Sequence, residues 1–376
     1  MKPKFKNIYK PIVRIDNKIR IGFESEALEI EDEDLSVEKF IHSLDGNKSI
    51  EELSQTLNIT VDEVIDGISA LDEYLLLEDA DTISNLNMNQ QERYRANLNY
   101  FSFHSNLHTP SESFQRKLNG STVAILGIGG SSLISASLAG MGVGKIIGLD
   151  YDTVELSNLN RQFLYSEDDL GKLKTIAAEE RLKKINKEIE IEMHNMKVTN
   201  AKDLLSIIDR ADVVINAIDQ PPITSSRWVN SACVHLNKTY LQGGVTNTRV
   251  VLQKIVPSGS CFDCYLIQSI KSVEGFDKQI LSASTHNFSG RNTAYAPNIA
   301  LMGSLFSTEI SKHILSLNER EESFTADINN FDGIDYKKFP ILKATNCPTC
   351  SNPHIFKEPV SFKELIQMAQ VEDVFS

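Results

Sequence analysis

Two rhythms of apolar residues run along the chain. In the first, short unbroken runs end at glycine or acid: Thr122-Val-Ala-Ile-Leu126, Lys145-Ile-Ile-Gly-Leu149 and Asp212-Val-Val-Ile-Asn-Ala217. Such runs are what strands buried on both faces of a parallel sheet produce. Between the first two lie Gly127-Ile-Gly-Gly130-Ser-Ser132 and a small-residue helix expected over Leu133–Met141. A charged helix through Ala177–Lys184, an alternating strand over Ile189–Met193 and an amphipathic helix over Asn298–Leu317, opened by Ala294-Tyr-Ala-Pro297, complete a doubly wound α/β expectation. The second rhythm is N-terminal. Ile8–Ile15 and Lys18–Phe23 flank Asp16-Asn17 as a hairpin. Ser49/Glu52 and Thr60/Glu63 have the spacing of capping boxes, and Val61, Val64, Ile65, Ile68 and Leu71 share one helical stripe. Tyr74-Leu-Leu-Leu-Glu78 then returns as a strand, an order that fits a small winged-helix-like α+β domain.

The expected division is a recognition domain over 1–82, a linker and arginine-containing helix over 83–100, a nucleotide-binding domain over 101–352 and a tail over 353–376. With 376 residues the chain is long enough for two or three domains. Its formal net charge of −13 argues against nucleic acid as partner. Winged helices commonly bind DNA, but Glu29, Glu31, Asp32, Glu33, Asp34, Glu51, Glu52, Asp62, Glu63 and Asp66 would repel its phosphates. A peptide partner fits better. No apolar run approaches the ~20 residues of a membrane span, and the basic start Met1–Lys6 is followed by no apolar stretch, so the expected compartment is the cytoplasm.

Five cysteines refine that picture. Four form two C-x-x-C pairs, Cys261-Phe-Asp-Cys264 and Cys347-Pro-Thr-Cys350, whose spacing suits one tetrahedral zinc. With all four positions taken by sulfur, that zinc would be structural, and a redox pair is the alternative. Cys233, within Trp228-Val-Asn-Ser-Ala-Cys233-Val, reads as a core residue. The histidines, His286 included, form no cluster and read as structural or solvated.

The candidate chemistry lies between Gly127 and Lys174. A glycine turn between a strand and a helix N-terminus lets main-chain N–H groups approach a phosphate, although close packing alone would also select small residues there. Asp150 stands about 20 residues on, where a carboxylate suits a ribose hydroxyl. Glu155-Leu-Ser-Asn158-Leu-Asn-Arg161-Gln162 and Gly171-Lys172-Leu-Lys174 then place cations and amides beside carboxylates, as a highly charged ligand requires.

In these residues the chain resembles the adenylating enzymes of the ubiquitin-activating superfamily. The shared pattern comprises Gly127, Gly129 and Gly130, the pair Asp150/Asp152, Asn158-Leu-Asn-Arg161-Gln162, Lys174, and Asp219 in Ala217-Ile-Asp219-Gln220. The resemblance runs from about Arg93 to Cys350 and implies a Rossmann-like sheet, a homodimer and ATP-dependent activation of a carboxylate. It implies that Asp150 holds the ribose, that Asn158, Arg161 and Lys174 hold phosphates, and that Asp219 positions Mg2+, with Asp152 and Gln162 lining the same site. Arg161, Lys174 and Asp219 are the implied catalytic residues. The stretch about 270–296 takes the place of a crossover loop, and the absence of cysteine between Tyr265 and Asn346 disfavours a thioester intermediate.

Two departures stand out. In Glu92-Arg93-Tyr94-Arg95-Ala96-Asn97, Ala96 occupies the place of an arginine that in the family reaches the partner subunit's ATP site. That leaves either Arg93 or Arg95 as a candidate finger in trans, or a dimer site that works without one, these arginines being solvated. Ser132 replaces a third glycine. The acidic N-terminal domain and the missing cysteine liken the chain to the branch that modifies ribosomally made precursor peptides, the enzymes of microcin C7 and pantocin maturation, whose N-terminal domain holds the peptide leader as an added strand. Activation would fall on a C-terminal asparagine in the first chemistry or on a glutamate side chain, followed by cyclisation, in the second; the two departures favour the second. The competing readings are a sulfur-carrier activator, a nicotinamide dehydrogenase and a non-catalytic scaffold that presents a leader peptide.

Overall fold

An eight-stranded sheet forms the centre of the larger part of the molecule. A computed structural model describes all residues except 24–26, 247, 286–292, 318–321, 330–334 and 371–376, and the chain divides into two units, Met1–Lys117 and Leu118–Ser376. In spatial order the sheet of the second unit runs Asp335–Pro340, Phe324–Asn329, Arg249–Ile255, Tyr240–Thr246, Val213–Asn216, Thr122–Leu126, Lys145–Asp150 and Glu190–Asn195. The last five of these strands are parallel and the first four are antiparallel, Tyr240–Thr246 belonging to both sets.

The parallel half follows from the apolar runs. Val123 to Leu126 and Val213 to Ile215 are fully buried, so no alternation of exposed positions is needed. Chain order reverses between Thr122–Leu126 and Val213–Asn216, and a crevice opens at such a point beyond the carboxyl ends of the strands. The turns leaving both strands are pressed together there. Gly127 has φ +97°, and a Cβ on it would lie 2.6 Å from the Ala217 carbonyl oxygen, so both the backbone angle and the space demand glycine. The helix Ala296–Leu315 packs on Ser132–Met141, with Gly303 allowing close approach to Leu133.

Several expected elements differ in extent or kind. The helix after the glycine turn begins at Ser132, and the charged helix spans Lys174–Ile185. Phe276–Thr285, inside the stretch taken as a crossover loop, is helical, while residues 286–292 of that stretch, His286 included, lie outside the described residues. The tail forms a helix at Phe362–Ala369, started by a Ser361/Glu364 capping box, and Leu365 and Ala369 enter the core.

The first unit has the expected order of strands, helices and closing strand. Ile12–Ile15, Lys18–Ile21 and Leu28–Glu31 form an antiparallel sheet, and both capping boxes are made. Val64, Ile68 and Leu71 join its core, whereas Val61 and Ile65 are exposed, so the buried stripe is narrower than the sequence suggested. The closing strand is Leu77–Asp79, paired with Pro3–Phe5. Residues 83–117 cluster with this unit rather than hanging as a tether. The buried Lys6 ammonium donates to the carbonyls of Leu75 at 2.6 Å, Ser102 at 2.8 Å and Ser105 at 2.7 Å, and Leu107 N–H donates to Asp72 at 3.0 Å. Three acceptors offset the cost of placing a cation inside.

Candidate active site and cysteine cluster

The crevice at the reversal of strand order is a cavity of about 410 Å3, and it gathers residues distant in sequence. Gly127, Gly129 and Gly130 come from the turn, Asp150 and Asp152 from the end of the next strand, and Asn158, Arg161 and Gln162 from the following loop. Lys174 comes from a helix N-terminus and Asp219 from the turn after Val213–Asn216. Every residue expected at a nucleotide site apart from the arginine fingers lines this one space.

Asp150 is buried, and its Oδ2 accepts the N–H groups of Ile128 at 3.0 Å and Gly129 at 3.2 Å, while Oδ1 accepts Asp152 N–H at 3.0 Å. Two N–H groups that a phosphate could have used are therefore engaged by Asp150, and anion neutralisation falls more heavily on side-chain cations. Lys174 is such a cation. Its ammonium lies 3.0 Å from Asp152 Oδ2 with the lysine side chain only 8% exposed. A Cβ on Gly129 would come within 3.2 Å of both this ammonium and the Gln162 amide, which shows how tightly the turn abuts them. Gln162 Oε1 and Ser132 Oγ are buried without a hydrogen-bond partner.

Arg161 donates to the Ser157 carbonyl at 2.9 Å and Asn160 Oδ1 at 2.8 Å, and Asn158 Oδ1 accepts Glu155 N–H at 3.1 Å, fixing the loop that carries both. The Asp219 carboxyl is pushed above the usual aspartate range, chiefly by desolvation and then by the Asp152 and Asp150 charges, against the pull of Lys174. Three carboxylates facing one cavity repel each other, and a divalent cation with oxygen ligands would relieve that repulsion. The donor set thus fits Mg2+.

Arg93 and Arg95 lie in the first unit. Arg95 is exposed and pairs with Glu92 at 3.1 Å, and Arg93 ends the short helix Met88–Arg93. Sequence reasoning missed Asn216, Ser226 and Gln242, which also line the cavity. Asn216 and Gln242 are buried amides inside strands and Ser226 is a helical serine, and none of the three belongs to a motif that would have exposed it.

The four cysteines of the two C-x-x-C pairs meet in the second unit, all buried and none in a disulfide. Sγ atoms of Cys261 and Cys347 lie 3.4 Å apart, those of Cys264 and Cys350 3.5 Å, and those of Cys261 and Cys264 3.9 Å. A zinc with bonds of 2.3 Å has tetrahedral edges of about 3.8 Å, so the set fits that ion. Asp263, between Cys261 and Cys264, forms a buried pair with Arg227 at 2.7 Å and accepts from Thr349 Oγ1 at 2.7 Å. Arg227 also donates to the Val360 carbonyl at 2.6 Å, tying the tail to this centre.

A Rossmann-like sheet with this charged crevice and a four-cysteine group defines an adenylating α/β class. A model of the ThiF family matches residues 102–352, and the chain belongs to that family, whose adenylyltransferases are ATP-dependent.

Crystal structures of E. coli MccB superpose over 93% of this chain in the complex with ATP (TM-score 0.74, 25% identity, 100% of that chain). In the complex with MccA-N7isoASN the match covers 94% of this chain and 100% of that chain (TM-score 0.75, 25% identity). PaaA shares the fold at TM-score 0.69 and 22% identity, over 89% of this chain and 98% of that one. Among curated relatives, ubiquitin-like modifier-activating enzyme 5 of Dictyostelium discoideum is 28% identical over 263 residues, 65% of each chain. The sulfur carrier protein ThiS adenylyltransferase of Escherichia coli (strain K12) is 27% identical over 241 residues, 63% of this chain and 88% of that one. The chain thus spans less than two thirds of the length of the first of these curated relatives. Among the described residues no helix is long and apolar enough to cross a membrane.

Proposed function

We propose that this chain uses ATP to adenylate a carboxyl group of a ribosomally made precursor peptide. The observation that carries this reading is the convergence of Asp150, Asn158, Arg161, Gln162, Lys174 and Asp219 on one crevice beside the glycine turn. In the reaction a substrate carboxylate oxygen attacks the α-phosphorus of ATP and pyrophosphate leaves. The chain's task is to hold two anions in line and offset their repulsion. Arg161 and Lys174 neutralise phosphate oxygens, Asp150 holds the ribose, and Asp219 with Asp152 holds Mg2+, which supplies further charge neutralisation when bound. Arg93 or Arg95 would complete the site of a second copy in a homodimer. The four thiolates would hold a zinc with no open position for chemistry.

Peptide recognition is assigned to the first unit. Its edge strand Leu28–Glu31 and the helix Val61–Glu73 flank a largely apolar groove of about 570 Å3 that includes Ile30, Val37, Phe40, Ala70 and Leu71. Glu29 and Glu31 are already near Lys18, so apolar side chains and strand addition would supply the affinity. The MccB complexes with MccA support a peptide as the substrate class. The match to the ThiS adenylyltransferase favours a second reading, activation of a sulfur-carrier protein.

The test is pyrophosphate exchange with precursor peptides and with a sulfur-carrier protein, on the full chain and on Ala70→Trp, which fills the groove. Peptide-dependent exchange weakened in the variant, with ATP binding unchanged, supports the reading. Exchange with the carrier protein alone, indifferent to the groove, replaces it. Product mass separates activation of a C-terminal asparagine from that of a glutamate side chain that cyclises.

A further inference from the structure

A buried line of side-chain amides leads from the crevice across four strands. Asn216 Nδ2 donates to Gln242 Oε1 at 3.1 Å, Gln242 Nε2 to Gln253 Oε1 at 2.9 Å, and Gln253 Nε2 to Thr325 Oγ1 at 3.1 Å. These are directly opposed positions in the sheet, Asn216 with Gln242, Gln242 with Gln253 and Gln253 with Thr325, so strand register alone aligns them. The three amide side chains are 3–5% exposed.

The line has a direction. Asn216 Oδ1 accepts the N–H of Ile218 at 3.1 Å, and its two amide hydrogens go to Gln242 and to Ser226 Oγ at 3.3 Å. A main-chain N–H can only donate, so Asn216 must present oxygen to it and nitrogen to Gln242, and each following amide inherits that orientation. The Ile218 carbonyl is held in turn by Ser225 Oγ at 3.1 Å. Ile218, the residue immediately before Asp219, is therefore gripped at both its N–H and its C=O, so the peptide units on either side of it are held.

We propose that Gln242 and Gln253 are positioning residues that act through Asn216 to hold the turn bearing Asp219 in the orientation needed for a divalent cation on ATP. This rests on the reading of Asp219 as the Mg2+ residue. Gln253 lies outside the crevice lining, so its removal touches no atom of the ligand. Gln253→Met leaves the Gln242 amide without its acceptor and frees Asn216 to turn away from Ile218. Gln253→Glu keeps an oxygen facing Gln242.

The experiment is calorimetric binding of ATP to the full chain with and without Mg2+, for wild type, Gln253→Met, Gln253→Glu and Asp219→Ala. Loss of one buried hydrogen bond corresponds to about a tenfold weakening. The expected result is that Gln253→Met weakens binding about tenfold with Mg2+ and less than about twofold without it, and that Gln253→Glu restores most of the difference. Should Gln253→Met fail to fold, Thr325→Val, which removes the last acceptor, is read in the same way. Equal loss with and without Mg2+, or no loss, overturns the positioning role. If Asp219→Ala itself leaves the Mg2+ effect intact, the assignment of Asp219 fails first and the positioning role falls with it; if only Asp219→Ala abolishes it, the amide line alone is rejected.

Discussion

The crevice beside Gly127 and the cysteine cluster are both polar centres inside one unit, but their electrostatics are opposite in design. In the crevice Asp152 is exposed, three carboxylates face one another across open space, and Gln162 Oε1 has no partner. Around the cysteines everything is closed. All four sulfurs are buried, Ala344 N–H reaches Cys264 Sγ at 3.4 Å, and Asp263 is matched by Arg227. Unbalanced charge beside open space is how a ligand site differs from a structural one.

The sharpest way to break that contrast is Lys174→Ala. A cation aimed at a phosphate is commonly worth about 10²–10³ in rate, so exchange should fall by at least about a hundredfold while the thermal midpoint stays near wild type. A large drop in midpoint with exchange retained would make Lys174 structural. Cys347→Ser should do the reverse. One metal per chain should be lost on elemental analysis, and stability should fall by several kcal/mol, on the order of a structural zinc's contribution; activity per folded molecule should persist. Arg227→Met comes next, since it leaves Asp263 as a buried unpaired charge at a cost of about 3–5 kcal/mol, read from denaturant unfolding.

The smallest effect concerns Asp219. Its folded pKa lies above the ordinary value, so between the two the folded state holds more protons than the unfolded state. Stability without ligand therefore declines as pH rises through that window and stays lower above it. Asp219→Asn should raise the midpoint at neutral pH without Mg2+ and ATP, and the advantage should shrink when both are added. Because cation binding needs the ionised carboxylate, Mg2+-dependent ATP binding should be lost on acidification at a higher pH than an ordinary aspartate would give.

Much of the crevice was legible because its residues cluster along the chain. The turn and Asp150 fall within one strand–helix–strand unit, Arg161 and Lys174 follow in the loop and the helix start directly after it, and the strand Thr122–Leu126 matches its apolar run end to end. The antiparallel half was hidden. Gln242 and Gln253 stand at buried positions of Tyr240–Thr246 and Arg249–Ile255 and interrupt the apolar alternation, and Gly243-Gly244 resembles a turn although it lies within a strand. Leu28–Glu31 went unnoticed because its glutamates read as part of an acidic patch, whereas they alternate with Leu28 and Ile30. The placement of 83–117 could not be read locally either, since it depends on Lys6 meeting carbonyls 96 and 99 residues away.

The most direct measurement is mass-spectrometric detection of AMP and pyrophosphate from ATP, with precursor peptide present and absent. AMP should form in step with peptide, and formation should cease in Lys174→Ala. No AMP from wild type with any peptide or carrier protein, under conditions where ATP is bound, would contradict the assignment of this crevice to carboxylate adenylation.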